Sequence, residues 1–244
     1  GNRNFYVTLV PFSDRTNIGS AHTSFISGGT PSGWEGCVEP RESAEPGFPW
    51  AVDDTSPRSA PFTASDPSAA AHWGKLGCPS VPITGPTSNI NRVIRASKNM
   101  TKGGSGRFDT GMAWAWRTLS PQWQGQWGVS GYPASNGSRK KKLIFVSDGN
   151  SDIPFVELSM ERDWGHNNGS IVAFEHLVEL CTKIKTDGIE IYMLKIDGNP
   201  HADDYFKQCA SSPAHYYNVS DAGDITIPFN DVLGEFVEDI RLTR

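Results

Sequence analysis

No run of apolar residues in this sequence approaches the ~18 needed to cross a bilayer, so no membrane span is expected within it. No secretory leader opens it. Gly1-Asn2-Arg3-Asn4 runs almost at once into a strand, as expected of a truncated or a processed form. Charge is scarce: charged residues are 20% of the 244, net charge is −5, and the isoelectric point lies near 5.7. That balance excludes a general electrostatic pull on nucleic acid. The one dense basic run, Arg139-Lys140-Lys141-Lys142, abuts a strand and reads as a solvated strand entry.

The motifs of common enzymes are missing as well. Ser105 sits between Gly104 and Gly106 but lacks the strand–turn–helix frame of a nucleophile elbow. Gly103-Gly104-Ser105-Gly106 precedes a helix, yet no Gly-Lys-Ser/Thr follows and no Gly-x-Gly-x-x-Gly lies on a βα turn. The six His form no His-Glu-x-x-His, and His176 reads as a surface or flank residue of a helix. Asp148-x-Asn150-x-Asp152 and Asp197-x-Asn199-x-His201-x-Asp203 resemble the start of a calcium loop. Both lack the Gly at the sixth position and the Glu at the twelfth, so they read as solvated turns.

Cysteine is rare, at four residues, and none form a Cys-x-x-Cys pair, which argues against zinc and thioredoxin-like chemistry. An even count in a loop-rich chain fits two disulfides and an oxidising compartment, with four buried thiols as the alternative. Of the three possible pairings, 37–78 and 181–209 are expected. Cys37 and Cys78 bracket one Pro/Gly-rich region, and Cys181 and Cys209 lie in the C-terminal α/β region.

What the chain does have is loop, with 25 Gly and 17 Pro, and a clear run of strands and helices. Phe5 to Phe12 reads as a strand ended by Pro11. Residues 19–86 show no sustained period and read as an insertion pinned by the 37–78 bridge, packed through Trp34, Trp50 and Trp73. Helical spacing follows at 87–100, with Ile90, Val93, Ile94 and Met100 on a common face, and at Asp109 to Leu119. Lys141 to Val146 reads as a strand buried on both faces at the middle of a parallel sheet, ending at Asp148-Gly149. A helix over 170–186, a strand over 189–196, a short helix over 203–210, an edge strand over 215–219 and a helix over 222–240 complete the order. Strands alternating with helices imply an α/β fold with a doubly wound, mainly parallel sheet. In such sheets ligands bind outside the carboxyl ends of the strands, which puts Asp148 at the expected address.

Two sets of residues carry a resemblance. Val146-Ser147-Asp148-Gly149, with Thr110-Gly111-Met112-Ala113 opening an earlier helix, resembles a von Willebrand factor A-type domain. More closely, several segments resemble the C-terminal region of TadG-type (tight adherence) pilus assembly proteins. They are Val10-Pro11-Phe12-Ser13, Trp34-Glu35-Gly36-Cys37-Val38, Gly111 through Trp123, Leu180-Cys181, Cys209-Ala210-Ser211 and Arg241-Leu242-Thr243. The Ala-Trp-Ala-Trp-Arg-Thr-Leu-Ser-Pro run within Gly111–Trp123 is the specific one. The resemblance implies a periplasmic or cell-surface location, a membrane anchor upstream in the full-length protein, and a role in building or anchoring adhesive pili.

It also implies a single A-type domain over 1–244, lacking the usual first strand, with the 19–86 insertion inside it. A-type domains hold Mg²⁺ or Mn²⁺ with an Asp-x-Ser-x-Ser loop, a Thr and an Asp. Asp148 matches the last and Asp-x-Ser-x-Ser is absent, so at most a weak, incomplete Mg²⁺/Mn²⁺ site at Asp148 is expected, and no other cofactor. The expected function is non-enzymatic protein binding in pilus assembly or surface adhesion, with partners docking near Ser13, Asp14, Asp109 and Asp148. The alternatives are a metal-dependent hydrolase built from Asp148, Asp152, Asp197 and His201 at strand ends, and a purely structural envelope fragment.

Overall fold

The computed structural model describes residues 5–43, 50–71, 74–75, 77–151, 168–220, 222–226, 229–232 and 234. The strands are β1 (Val7–Leu9), β2 (Thr16–Asn17), β3 (Ile26–Ser27), β4 (Cys37–Val38), β5 (Phe62–Thr63), β6 (Ala70–Ala71), β7 (Gly74–Lys75), β8 (Thr84–Thr87), β9 (Lys141–Ser147), β10 (Ile189–Ile196) and β11 (Tyr216–Val219). The helices are α1 (Ile90–Lys98), α2 (Phe108–Arg117), α3 (Asn168–Thr186) and α4 (Ala202–Cys209). The chain is a mixed α/β protein in two compact units. One comprises Gly1–Lys140 with Ser151–Leu180, the other Lys141–Asn150 with Cys181–Arg244.

The first unit is held by short ladders around an aromatic core. β1 pairs antiparallel with β8, Val7 opposite Thr87 and Leu9 opposite Thr84, with a register slip between. The predicted strand over Phe5–Phe12 is thus realised only in its middle. Pro11 and Pro86 have no N–H for a ladder, which keeps this pairing short. β2 with β4 and β6 with β7 are antiparallel, and β3 with β5 is parallel. The segment 19–86 therefore has structure that no periodicity announces. The Cys37–Cys78 disulfide pins it as expected.

Phe25, Val38, Phe62 and Ile83 pack with Ile18 against Trp114, Trp123 and Trp127. Phe62 lies 4.7 Å from Trp114, and Trp123 stacks on Trp127 at 5.4 Å. Buried indoles need partners for their N–H groups. Trp123 donates to the Asp54 carbonyl at 2.7 Å and Trp127 to the Arg117 carbonyl at 3.3 Å. Trp114 and Trp116 are both buried, Trp114 beneath Phe62 of the insertion. Trp34 borders this core, Trp50 packs on Val172 and Ala173, and Trp73 lies outside the described residues. Arg41 and Arg117 both set their guanidinium groups over the Phe62 ring, at 4.4 and 5.1 Å. Burial, with Arg41 alongside, pushes Arg117 down to about 9 against the pull of Asp53, Asp54 and Asp109.

Helix α1 forms within the segment where the spacing placed it. Its spacing is helical and it packs on β1 and β8, but none of its residues is buried. Val93 and Ala96 are half-buried, whereas Ile90 and Ile94 are 49% and 42% exposed. Period locates an apolar face; it does not say that anything covers it.

The second unit is a three-stranded parallel sheet in the order β11-β10-β9. Ile189 pairs with Lys141 and Lys195 with Ser147, while Met193 pairs with Tyr216. The predicted strand at 141–146 was expected at the sheet centre. Among the described residues it is a flanking strand, and β10 is central. The burial says why: β10 is buried on both faces from Ile191 to Lys195, but β9 buries Leu143 and Phe145 and half-exposes Ile144 and Val146. A short apolar run marks either position. One face of the sheet packs Tyr192 and Leu194 with Val232, and Phe145 meets Phe206 of α4 at 5.9 Å. The Cys181–Cys209 disulfide ties the end of α3 to the end of α4, as expected. Beyond β11, a 3₁₀ turn at Ala222–Ile225 leads into helix at residues 226, 229–232 and 234; the rest of the expected 222–240 helix lies outside the described residues.

Two disulfides fit an oxidising compartment. No helix of the described residues is long and apolar enough to cross a membrane.

Candidate functional site

In the first unit, the chain leaving β1 turns at Ser13-Asp14-Arg15 and is stitched to two distant loops. The Asp14 carboxylate accepts from the Gly77 amide at 2.5 Å and the Ser105 amide at 3.2 Å. Ser13 Oγ donates to the Gly77 carbonyl at 2.8 Å, and the Arg107 amide donates to the Ser13 carbonyl at 3.1 Å. The approach is so close that a Cβ on Gly77 would lie 2.6 Å from the Gly104 Cα and 2.7 Å from an Asp14 oxygen. Gly104 also holds φ +72°, which favours glycine. Ser13 and Asp14 are therefore buried, at 7% and 2% exposure. Beside this clamp lies a groove of about 290 Å³ lined by residues 11–13, 78–81 and 100–103. Its wall carries Cys78, so the 37–78 disulfide also anchors the groove.

Asp109, in the first turn of α2, is buried too. Arg107 meets it in a bidentate contact, Nε at 3.1 Å and an Nη at 2.5 Å. His176 Nδ1 of α3 stands 3.7 Å away, and Trp50 covers the group with its ring 4.7 Å from the Arg107 guanidinium. Burial alone would raise the Asp109 carboxyl; the Arg107 guanidinium, with the His176 imidazole nearby, outweighs it and holds the group well below the usual carboxylate range. His176 was expected at the surface or flank of its helix and is instead 1% exposed. Ser151 closes the same region, donating to the Gly106 carbonyl at 2.9 Å and accepting from the Phe108 amide at 3.3 Å.

In the second unit, β9 and β10 end side by side, and their turns interlock. The Asn199 amide donates to the Asp148 carbonyl at 3.1 Å. Gly198 holds φ +76°, and a Cβ there would run into that same carbonyl oxygen. Asp148 itself is exposed, and its carboxylate accepts from the Asn150 amide at 3.0 Å in a local Asx turn. Behind the turn, Lys195 is buried at 3% exposure, paired with Asp203 and donating to the Asn199 carbonyl at 3.2 Å.

The predicted docking set is thus divided by environment. Ser13, Asp14 and Asp109 have internal partners in the first unit, and Asp148 is open to solvent in the second. The strand ends bearing Asp148 and Asp197 adjoin, as the hydrolase alternative requires, while Asp152 lies outside the described residues. A hard divalent cation takes several oxygen ligands. Asp148 offers one carboxylate, and among the described residues no group of three His, Cys, Asp or Glu side chains converges. The groove and the Lys195–Asp203 pair went unnoticed in the sequence. Both depend on loops brought together by folding; Gly77 and Gly103-Gly104 were the local signal that backbones come close there. No protein-family model matches the chain, and no curated protein matches it.

Proposed function

We propose that the chain is a non-enzymatic protein-binding domain of the bacterial cell envelope, serving pilus assembly or surface adhesion. On this reading it is a divergent von Willebrand factor A-type fold with a disulfide-pinned insertion, located in the periplasm or at the cell surface. The observation that carries the reading is how the buried carboxylates of the first unit are used. Asp14 accepts two backbone amides and Asp109 is locked to a buried Arg107, so both carboxylates are engaged within the fold. Such bonds stiffen loops, and stiffened loops around a groove suit docking of a partner. The sequence resemblance supports the partner class. Its most specific run, Ala113 to Pro121, supplies the Trp114 and Trp116 that are buried in the first unit.

The test is photo-crosslinking in the encoding bacterium. A photoreactive residue at Lys102 or Ser80, both exposed at the groove, should yield adducts with identified pilus components. Adducts only with unrelated envelope proteins, or none, would overturn the reading.

A further inference from the structure

The groove's neighbour, α1, carries an exposed surface that runs past its end to Met100 and Lys102 at the groove. Three of the four exposed large apolar side chains among the described residues belong to this short segment: Ile90 at 49%, Ile94 at 42% and Met100 at 45%. Around them stand Arg92, Arg95, Lys98 and Lys102, all exposed and with no acidic partner among the described residues. The sequence holds no Asp or Glu anywhere between Asp66 and Asp109, although the whole chain is net negative. Helix geometry explains the layout. Val93 and Ala96 turn toward β1 and β8, which leaves Ile90, Ile94 and Lys98 in one i, i+4 row. Asn91 and Arg95 form the next row outward. The helix is therefore amphipathic across its exposed side, with an aliphatic edge flanked by cations.

We propose that this face of α1 docks on an anionic membrane surface. The chemistry is complementary: aliphatic side chains enter the headgroup boundary, and the long Arg and Lys side chains reach lipid phosphates. The exposed helix face combines branched aliphatics with cations and has no acidic residue, which is complementary to an anionic surface with an apolar boundary beneath it. Each basic residue near such a surface strengthens binding roughly fivefold. The inference rests on the exposed face of α1 itself; it shares with the groove only Met100 and Lys102, just past the end of the helix, and does not use Asp148.

The experiment is co-sedimentation of the whole chain with vesicles of phosphatidylcholine, alone or mixed with phosphatidylglycerol. Binding is expected to the mixed vesicles and not to phosphatidylcholine alone, weakening as salt rises from about 0.15 M to about 1 M. Reversing Arg92, Arg95 and Lys98 to Glu together should lower partitioning by on the order of 100-fold or more. Ile90→Ser with Ile94→Ser should lower it by about tenfold, which a purely electrostatic contact would not show. Lys207→Glu, an exposed charge change in the other unit, should leave it unaltered. Met100→Ser with Lys102→Glu, beyond the helix, gives a second readout should a helix variant lose its fold. No binding to mixed vesicles, equal binding to both kinds, or a triple variant that binds like wild type would overturn the proposal. So would binding to polyglutamate with indifference to vesicles, which would make the face a protein-docking surface instead.

Discussion

Asp109→Asn separates a stabilising role for this carboxylate from a docking role. The substitution keeps the shape and removes the charge that Arg107 faces at 2.5 Å, with side-chain exposures of 0% for Arg107 and 5% for Asp109. Breaking a buried ion pair from one side costs about 3–5 kcal/mol, because the remaining charge stays buried without its counter-ion. For a chain of this size that lowers the melting temperature by roughly 6–20 °C. The pH dependence follows from the depressed carboxyl. A group whose folded-state pKa lies below its unfolded value of about 3.9 stabilises the fold above that pH, and the contribution fades as pH falls toward the folded value. The gap between wild type and variant should therefore be full near pH 7 and shrink below about pH 4, by up to about 1.4 kcal/mol per pH unit. Urea unfolding followed by tryptophan fluorescence reads this, since Trp114, Trp116, Trp123 and Trp127 are buried in the first unit with Asp109. A variant within about 1 kcal/mol of wild type at neutral pH, or a gap that persists unchanged to about pH 3, would refute the electrostatic account.

Three further outcomes follow from the same structure. Replacing Cys37 and Cys78 by Ala opens a loop of sequence separation 41, and the chain-entropy relation puts the loss at about 4 kcal/mol; urea midpoints of the first unit should fall accordingly, and an unchanged midpoint would contradict the pinning role. Gly111→Ala would place a Cβ 2.5 Å from the Phe12 ring and should cost about 1–3 kcal/mol by thermal unfolding, despite the better helix propensity of Ala. Adding Mg²⁺, Mn²⁺ or Ca²⁺ should leave the melting temperature unchanged relative to EDTA, and a rise of several degrees that Asp148→Ala abolishes would show a metal site there.

The parts of this fold legible in the sequence are those with long, clean periods. β10 and α3 carry enough consecutive apolar positions to declare type and extent, and the four cysteines pair as their placement in two regions suggested. Legibility ended where partners are remote. Asp14 acts on amides 63 and 91 residues away, and no local pattern can encode that. The two-residue ladders within 19–86 are too short for any period to show. Helix α1 has the amphipathic spacing of a buried element, yet its apolar edge faces solvent, because spacing reports a face and not its cover. Asp109 was recognised as the start of a helix. Its burial depends on Arg107 two residues before it and on His176 of α3 closing over the same carboxylate.

The central proposal is that this chain serves pilus assembly or adhesion by binding protein partners. Counting surface pili by electron microscopy in a strain lacking the gene tests it most directly. The account predicts that pili and adherence are lost, and that they return with the wild-type chain but not with one carrying Asp148→Arg and Lys102→Glu. Unaltered piliation in the deletion strain would contradict it.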